Sequence, residues 1–193
     1  MTCIAKIEIR PHGVTLNGQP VMVAAAPDGS QPEGKQLLTS LYKQHVGDYP
    51  KFYKMDPLAR VGFLAAELLL HSLGEELYVE REDRAIVLVN RSASLAADRK
   101  YEQTIQTGDE YFPSPADFVY TLPNIVTGEI AIRHHYHGET TFLVVDHDDP
   151  EMLQTLIAQA FADPMTRSVL GGWLECVDEN HFDAVVGIYE ENK

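Results

Sequence analysis

Residues 85–89, Ala-Ile-Val-Leu-Val, place the strongest constraint on the fold because they form a continuous apolar run. Such a run is typical of a strand that is buried on both faces, so a covering layer is needed on each side of the sheet. Helically spaced apolar residues predict the helices that supply these layers. Buried strands that alternate with helices indicate a three-layer α/β domain. The predicted strands are 85–89, 140–145, 168–177 and 183–190, and the predicted helices are 35–46, 57–73, 115–120, 124–135 and 150–162.

The first part of the chain predicts an addition to this domain. Residues 4–9 alternate as a strand does, and Asn17-Gly18 between apolar runs is typical of a tight β-hairpin. Asp56-Pro57 predicts the start of a long helix, because Asp can cap its free amides and Pro suits its first turn. Residues 92–109 are polar and are predicted to be irregular or partly helical. We therefore expect one domain over residues 1–193, with an N-terminal hairpin.

Composition excludes several classes of protein. The chain has 29 acidic and 15 basic residues and a net charge of -14, which repels the phosphate backbone of nucleic acids. The longest apolar run is interrupted by Glu67 and His71, so no membrane span is predicted, and the first residues lack the apolar stretch of a signal peptide. Cys3 and Cys176 are too few for a disulfide scaffold. We expect a cytoplasmic protein without a cofactor.

Most of the excess negative charge lies at the end of the sequence. Residues 139–193 contain 12 acidic and 2 basic residues. We interpret this segment as a solvated acidic face, since a charge asymmetry alone is a weak functional signal. A site for a basic partner is the alternative interpretation.

Three segments resemble a known family in order and spacing. They are Tyr-Lys-Met-Asp-Pro-Leu-Ala-Arg at 53–60, the stretch 113–138 with Leu-Pro-Asn at 122–124 and Gly-Glu-Ile-Ala-Ile at 128–132, and Val-Leu-Gly-Gly-Trp-Leu-Glu at 169–175. The segments are similar to the N-terminal half of β-ketoacyl-[acyl-carrier-protein] synthases, which are members of the thiolase-like superfamily. The resemblance covers about residues 50–190 and implies a three-layer thiolase-like half-domain with a mixed sheet.

The resemblance also locates the position of the family's nucleophile. In the family a cysteine follows the strand that matches residues 140–145, at a sharp turn that opens the next helix, where the helix N-terminus stabilises negative charge. Here residues 145–149 are Val-Asp-His-Asp-Asp, so Asp146 or His147 stands near that position. Neither can replace a thiol, because an acylated carboxylate would be a mixed anhydride and three Asp side chains oppose an oxyanion.

The resemblance places the family's other catalytic residues, two His and a Lys, in a C-terminal half beyond residue 193. His134, His135 and His137 precede the matching strand and do not correspond to them. We therefore expect no catalytic residue and no cofactor-binding residue. The resemblance implies a non-catalytic, ketosynthase-like structural or partner subunit in fatty-acid or polyketide-type acyl-chain synthesis.

Partners follow from the same resemblance. In the family the strand before the nucleophile pairs antiparallel with its counterpart across a twofold axis, and residues 140–145 would otherwise form an exposed apolar edge. We expect a homodimer, or a heterodimer with a complete ketosynthase, with an acyl carrier protein as a further partner. A half-domain also lacks the sister half that covers one of its faces, so an apolar face in need of cover is expected.

Two other hypotheses remain open. His147 with Asp146 or Asp148 could form an acid–base pair that acts on an acyl thioester. The His clusters at 134–137 and at 147 could bind a metal ion. The ends of the intervening strand are about 20 Å apart, so both clusters cannot share one ion unless a helix packs back along the strand or a second subunit contributes. We predict no metal site.

Overall fold

The computed structural model describes residues 1–26, 28–106 and 113–191, and within these ranges the chain forms seven strands and six α-helices. The strands are β1 (Thr2–Arg10), β2 (Gly13–Leu16), β3 (Gln19–Pro20), β4 (Arg84–Asn90), β5 (Thr140–Val144), β6 (Ser168–Asp178) and β7 (His181–Glu190). The helices are α1 (Gly34–His45), α2 (Pro57–Ser72), α3 (Leu95–Ile105), α4 (Pro115–Val119), α5 (Ile125–His134) and α6 (Pro150–Ala160), and a short 3₁₀ helix spans Pro50–Lys54.

All seven strands form one mixed sheet in the order β3-β2-β1-β7-β6-β4-β5. The strands β5, β4 and β6 are parallel to one another, and the remaining neighbours pair antiparallel. Asn17 and Gly18 both have positive φ and turn the chain between β2 and β3, as the sequence predicted. The hairpin extends the sheet beyond β1, which confirms both the mixed sheet and the N-terminal addition.

The two faces of the sheet are covered by different helices. Side chains of β4 alternate between two clusters: Ile86 and Leu88 pack with α1, α2 and α5, whereas Ala85 and Val87 pack against Ile157 of α6. All seven residues of β4 are buried, as a strand between two layers requires. The three-layer α/β architecture predicted from the sequence is therefore confirmed.

Helix α2 is the central helix of the larger layer. Its N-cap is Asp56, whose carboxylate accepts hydrogen bonds from the amides of Leu58 (3.2 Å) and Ala59 (3.0 Å). The helix packs against β6, β7, α1 and α5 and is buried almost throughout. Among the described residues, no helix is long and apolar enough to cross a membrane.

Strand β5 differs from the expectation of a buried strand. It lies at the edge of the sheet with β4 as its neighbour, and residues 141–143 are only half-buried. Thr140 and Val144 are exposed, Val144 by 53%. The apolar pattern predicted burial because composition alone does not distinguish a strand inside the sheet from one at its rim.

The layer formed by α6 also differs from the expectation of an apolar face. Five residues of this helix are exposed: Glu151, Gln154, Thr155, Ala158 and Gln159. These side chains are polar or small, so they can face water without cost. This side of the domain therefore reaches solvent through α6 rather than through a bare apolar sheet.

Replacement of Gly62 by Ala is expected to lower the free energy of unfolding by about 1–3 kcal/mol, because overpacking strains a filled core. A Cβ at position 62 would lie 2.8 Å from Cδ2 of Leu174 and would also collide with Val126. The same change at Gly128 in α5, where a Cβ meets no atom within 4 Å, should instead add up to about 1 kcal/mol of helix stability. Urea unfolding measures the free energy of unfolding of both variants. Equal unfolding midpoints for Gly62→Ala and Gly128→Ala would contradict the tight packing around Gly62.

Candidate functional site

The carboxyl ends of the parallel strands β4, β5 and β6 meet at one end of the sheet, where ligand sites of α/β proteins commonly form. The turn that follows β5 lies beside the end of β4, because the Val145 amide donates a 2.7 Å hydrogen bond to the Asn90 carbonyl. The turn contains Asp146 and His147, which the sequence resemblance predicts to stand near the family's nucleophile position, and we treat it as the candidate site.

The loop after β4 is held closed by side chains from within the sheet. The buried Asn90 donates to the carbonyl of Ala93 (2.9 Å) and accepts from the amide of Ala93 (3.0 Å). Glu175 of β6 accepts from the amides of Arg91 (2.9 Å) and Ser92 (3.2 Å). Because a carboxylate already occupies these two amides, the loop does not offer them to a phosphate.

The turn after β5 contains the two residues nearest the expected nucleophile position. His147 Nδ1 lies 2.7 Å from Asp146 Oδ1, and the two side chains are 67% and 89% exposed. The sequence left either Asp146 or Asp148 open as the partner of His147, and the structure pairs His147 with Asp146. A pair so exposed to water is not desolvated, so it lacks the setting in which enzymes strengthen acid–base groups.

Asp149 occupies the N-terminus of α6. Its carboxylate accepts hydrogen bonds from the amides of Glu151 (2.9 Å) and Met152 (3.1 Å), as the predicted capping role requires. A negative group at this end of a helix is stabilised by the helix dipole. The same dipole would serve a thiolate or an oxyanion in an active site, but here a carboxylate of the chain already uses it.

The structure separates the His residues of the metal hypothesis. His134 is buried, and its Nε2 lies 2.9 Å from Oε1 of Glu67. His137 is exposed, and its amide donates to the carbonyl of Arg81 (2.8 Å). His147 lies at the opposite end of β5. Across the ranges that the structure describes, no three His, Cys, Asp or Glu side chains form a group that could hold a metal ion.

A buried ion network between α2 and α5 was not predicted from the sequence. Arg133 is 2% exposed and binds both carboxylate oxygens of Glu67, at 3.1 and 3.2 Å. It also donates to Asp48 at 2.7 Å, and its guanidinium lies over the Tyr49 ring, 5.1 Å from the centroid. Glu67 is the acidic interruption of an otherwise apolar helix, and this was the available signal for a buried partner. The network ties α5 to α2 and is structural.

A broad cleft lies away from the turn after β5. It has a volume of about 530 Å³ and is formed by α1 and the segment after β3, including Lys35, Gln36 and Lys43. None of its lining residues belongs to the turn after β5. A second cleft of about 330 Å³ lies at the carboxyl end of β6 beside α2 and α3, and the turn after β5 lines neither cleft.

No protein-family model and no curated protein sequence matches the chain. Solved structures do match it. An ishigamide ketosynthase/chain length factor has a TM-score of 0.71 and 15% identity, with 98% of this chain and 61% of that chain covered. A ketosynthase in complex with its chain length factor from Xenorhabdus doucetiae has a TM-score of 0.65 and 15% identity, and the match covers 100% of this chain and 80% of that chain. A type II PKS acyl-carrier protein in complex with its ketosynthase has a TM-score of 0.60 and 12% identity, and the match covers 96% of this chain and 63% of that chain.

These matches establish the fold. The chain has the thiolase-like fold of ketosynthase and chain length factor proteins, as the sequence resemblance predicted. It spans 61% of the length of the ishigamide protein chain, so that protein is substantially longer.

Replacement of Arg133 by Leu is expected to lower the free energy of unfolding by about 3–5 kcal/mol, because Glu67 would remain buried without its cation. Arg10 provides the matched control, since its pairs with Glu8 and Asp183 are exposed. Arg10→Leu should cost less than about 1 kcal/mol. Chemical denaturation measures both variants, and similar losses would show that the buried network does not hold α5 on α2.

The acid stability of the protein should depend on Glu67. Burial tends to raise the pKa of this carboxyl, but hydrogen bonds and charge interactions with His134 and Arg133 outweigh burial and hold the pKa below 4.5. A group with a lowered pKa stabilises the fold above its unfolded pKa, and this stabilisation is lost as the pH falls through the folded pKa. Glu67→Gln should therefore show a smaller decline in unfolding free energy than the wild type between about pH 5 and pH 3. If the curves of unfolding free energy against pH ran parallel for the variant and the wild type, Glu67 would not have this role in acid stability.

Proposed function

We propose that this chain is a non-catalytic partner subunit that pairs with a complete ketosynthase through the edge of β5, in fatty-acid or polyketide-type acyl-chain synthesis. The observation that carries the proposal is the open edge of β5 on a ketosynthase-like fold. An acyl carrier protein is the further partner proposed for the assembled pair.

The edge of β5 has the properties of a protein interface. A strand at the rim of a sheet presents backbone N–H and C=O groups that can pair with another chain. Val144 on this strand is 53% exposed, and Ile132 on the neighbouring helix α5 is 64% exposed. Phe118 and Leu122, which precede α5, are each about half exposed. Exposed apolar side chains on β5 and on the helix that contacts it indicate a surface that another protein covers.

The comparisons support a ketosynthase as the partner. One similar structure is that of a ketosynthase in complex with its chain length factor, and another is that of an acyl-carrier protein in complex with its ketosynthase. The resemblance stated above implies that the strand before the nucleophile is the one that pairs across the twofold axis. In this chain that strand is β5, which has β4 as its only neighbouring strand within the part of the chain that the structure describes.

The turn after β5 supports a non-catalytic role. Condensation of acyl thioesters requires a nucleophile to hold the acyl chain and donors that stabilise the enolate formed when carbon dioxide leaves. Asp146 and His147 supply no thiol, and the carboxylate of Asp149 occupies the helix N-terminus. The exposed pair of Asp146 and His147 is a weaker candidate for acid–base catalysis, since water surrounds both side chains.

Replacement of Val144 by Lys should weaken binding to a complete ketosynthase by about tenfold or more, because a charge would be buried in an apolar contact. Met22 lies beyond β3 at the opposite end of the sheet and is 83% exposed, so Met22→Lys is the matched control. Both variants are co-expressed with a complete ketosynthase of the same source organism, and the complexes are measured by light scattering and titration. Failure of the wild-type chain to bind the ketosynthase would contradict the proposal.

The purified chain should form no β-ketoacyl product from acyl- and malonyl-loaded carrier protein. The variants Asp146→Cys and His147→Cys should also remain inactive, because a thiol alone supplies no donors for the enolate. Mass spectrometry of the carrier-bound products provides the measurement, and a complete ketosynthase serves as the positive control. Product from the wild type, or from either variant, would show that the turn has been misassigned.

A further inference from the structure

Both ends of β5 are acidic. Glu139 immediately precedes the strand, and Asp146, Asp148 and Asp149 follow it within a few residues. Glu139, Asp146 and Asp148 are exposed, whereas Asp149 is half-buried as the cap of α6. The strand between them carries no charge, so the ends of β5 determine the electrostatics of this edge.

Antiparallel pairing brings opposite ends of two strands together. If β5 paired with β5 of a second copy, Glu139 of one copy would lie beside Asp146 and Asp148 of the other. The symmetry of the pair repeats this arrangement at the second end. Like charges that are placed together across an interface oppose assembly, so this edge is unfavourable for self-pairing.

Few basic groups are available to offset these carboxylates. Arg91 follows β4, one strand further from the edge, and leaves the turn after β5 net negative. His147 contacts Asp146, and His137 lies before the strand, but each adds positive charge only when it is protonated. The net charge of -14 on each copy also opposes self-association.

We infer that the β5 edge selects its partner by charge, fitting a ketosynthase strand flanked by Lys or Arg side chains and rejecting a second copy of this chain. The inference rests on the proposed function, since it specifies the chemistry of the partner at the same edge. It also assigns a purpose to part of the acidic excess in residues 139–193, namely recognition of a basic partner surface.

The first experiment measures self-association without a ketosynthase. Wild-type protein and the variant Glu139→Gln/Asp146→Asn/Asp148→Asn are compared by sedimentation at pH 8, in low and in high salt. Wild-type self-association should be weak and should strengthen as salt screens the carboxylates, whereas the neutral variant should associate about tenfold more tightly in low salt. Asp149 is left unchanged because it caps α6. Equal association of the two proteins, or a tight wild-type dimer insensitive to salt, would overturn the inference.

The second experiment measures binding to the complete ketosynthase. Binding should weaken as the salt concentration rises, opposite to the trend for self-association, because attraction rather than repulsion is screened. The variant Glu139→Lys/Asp146→Lys should bind about tenfold more weakly than the wild type in low salt. Glu33→Lys, which changes an exposed acid before α1, should bind as the wild type does.

The two arms separate the possible failures. If the wild type binds the ketosynthase but neither salt nor charge reversal changes the affinity, the inference fails and the proposed function stands. If the wild type binds no ketosynthase, the proposed function fails, and the self-association arm still decides whether charge governs the edge of β5.

Discussion

The burial of α2 is the constraint on which the rest of the structure depends. This helix lies between the sheet, α1 and α5, so its surface must be apolar on nearly every side and small where α5 and β6 approach, at Gly62. Its one buried acid, Glu67, cannot remain unpaired at that depth without a large cost. Arg133 satisfies this requirement from α5, and the position of α5 beside the sheet is thereby fixed.

That arrangement explains why β5 remains open. Helix α5 is held against α2 on one face of the sheet, and α6 packs on the other face against Ala85 and Val87 of β4. Among the described residues, β5 is the last strand of the sheet with β4 as its only neighbouring strand, and Val144 on it is exposed. Natural proteins usually protect such edges with charge or with a covering element. Here the charges lie at the two ends of the strand, where they discriminate between partners without blocking the backbone in the middle.

Much of the fold follows from short-range patterns in the sequence. The apolar run at 85–89 requires two covering layers, Asn17-Gly18 specifies a hairpin, and Asp56 and Asp149 each mark the first turn of a helix. The apolar pattern of β5 did not predict its edge position, since an apolar strand has the same pattern inside a sheet and at a rim; only the family resemblance implied an edge there. The ion pair of Glu67 with Arg133 joins residues 66 positions apart, and no local pattern encodes that distance.

The candidate site shows the same division between local and long-range information. The sequence identified the turn after β5 and the capping role of Asp149, because each depends on adjacent residues; the replacement of a family thiol at this turn stays a prediction. It did not show that Asp146 and His147 are exposed to solvent, because their exposure depends on how distant parts of the chain pack around the turn after β5. A helix N-terminus stabilises only the negative charge nearest to it. Because Asp149 takes that place, an oxyanion at the same turn would compete with a fixed carboxylate, and this competition is consistent with the non-catalytic role that we propose.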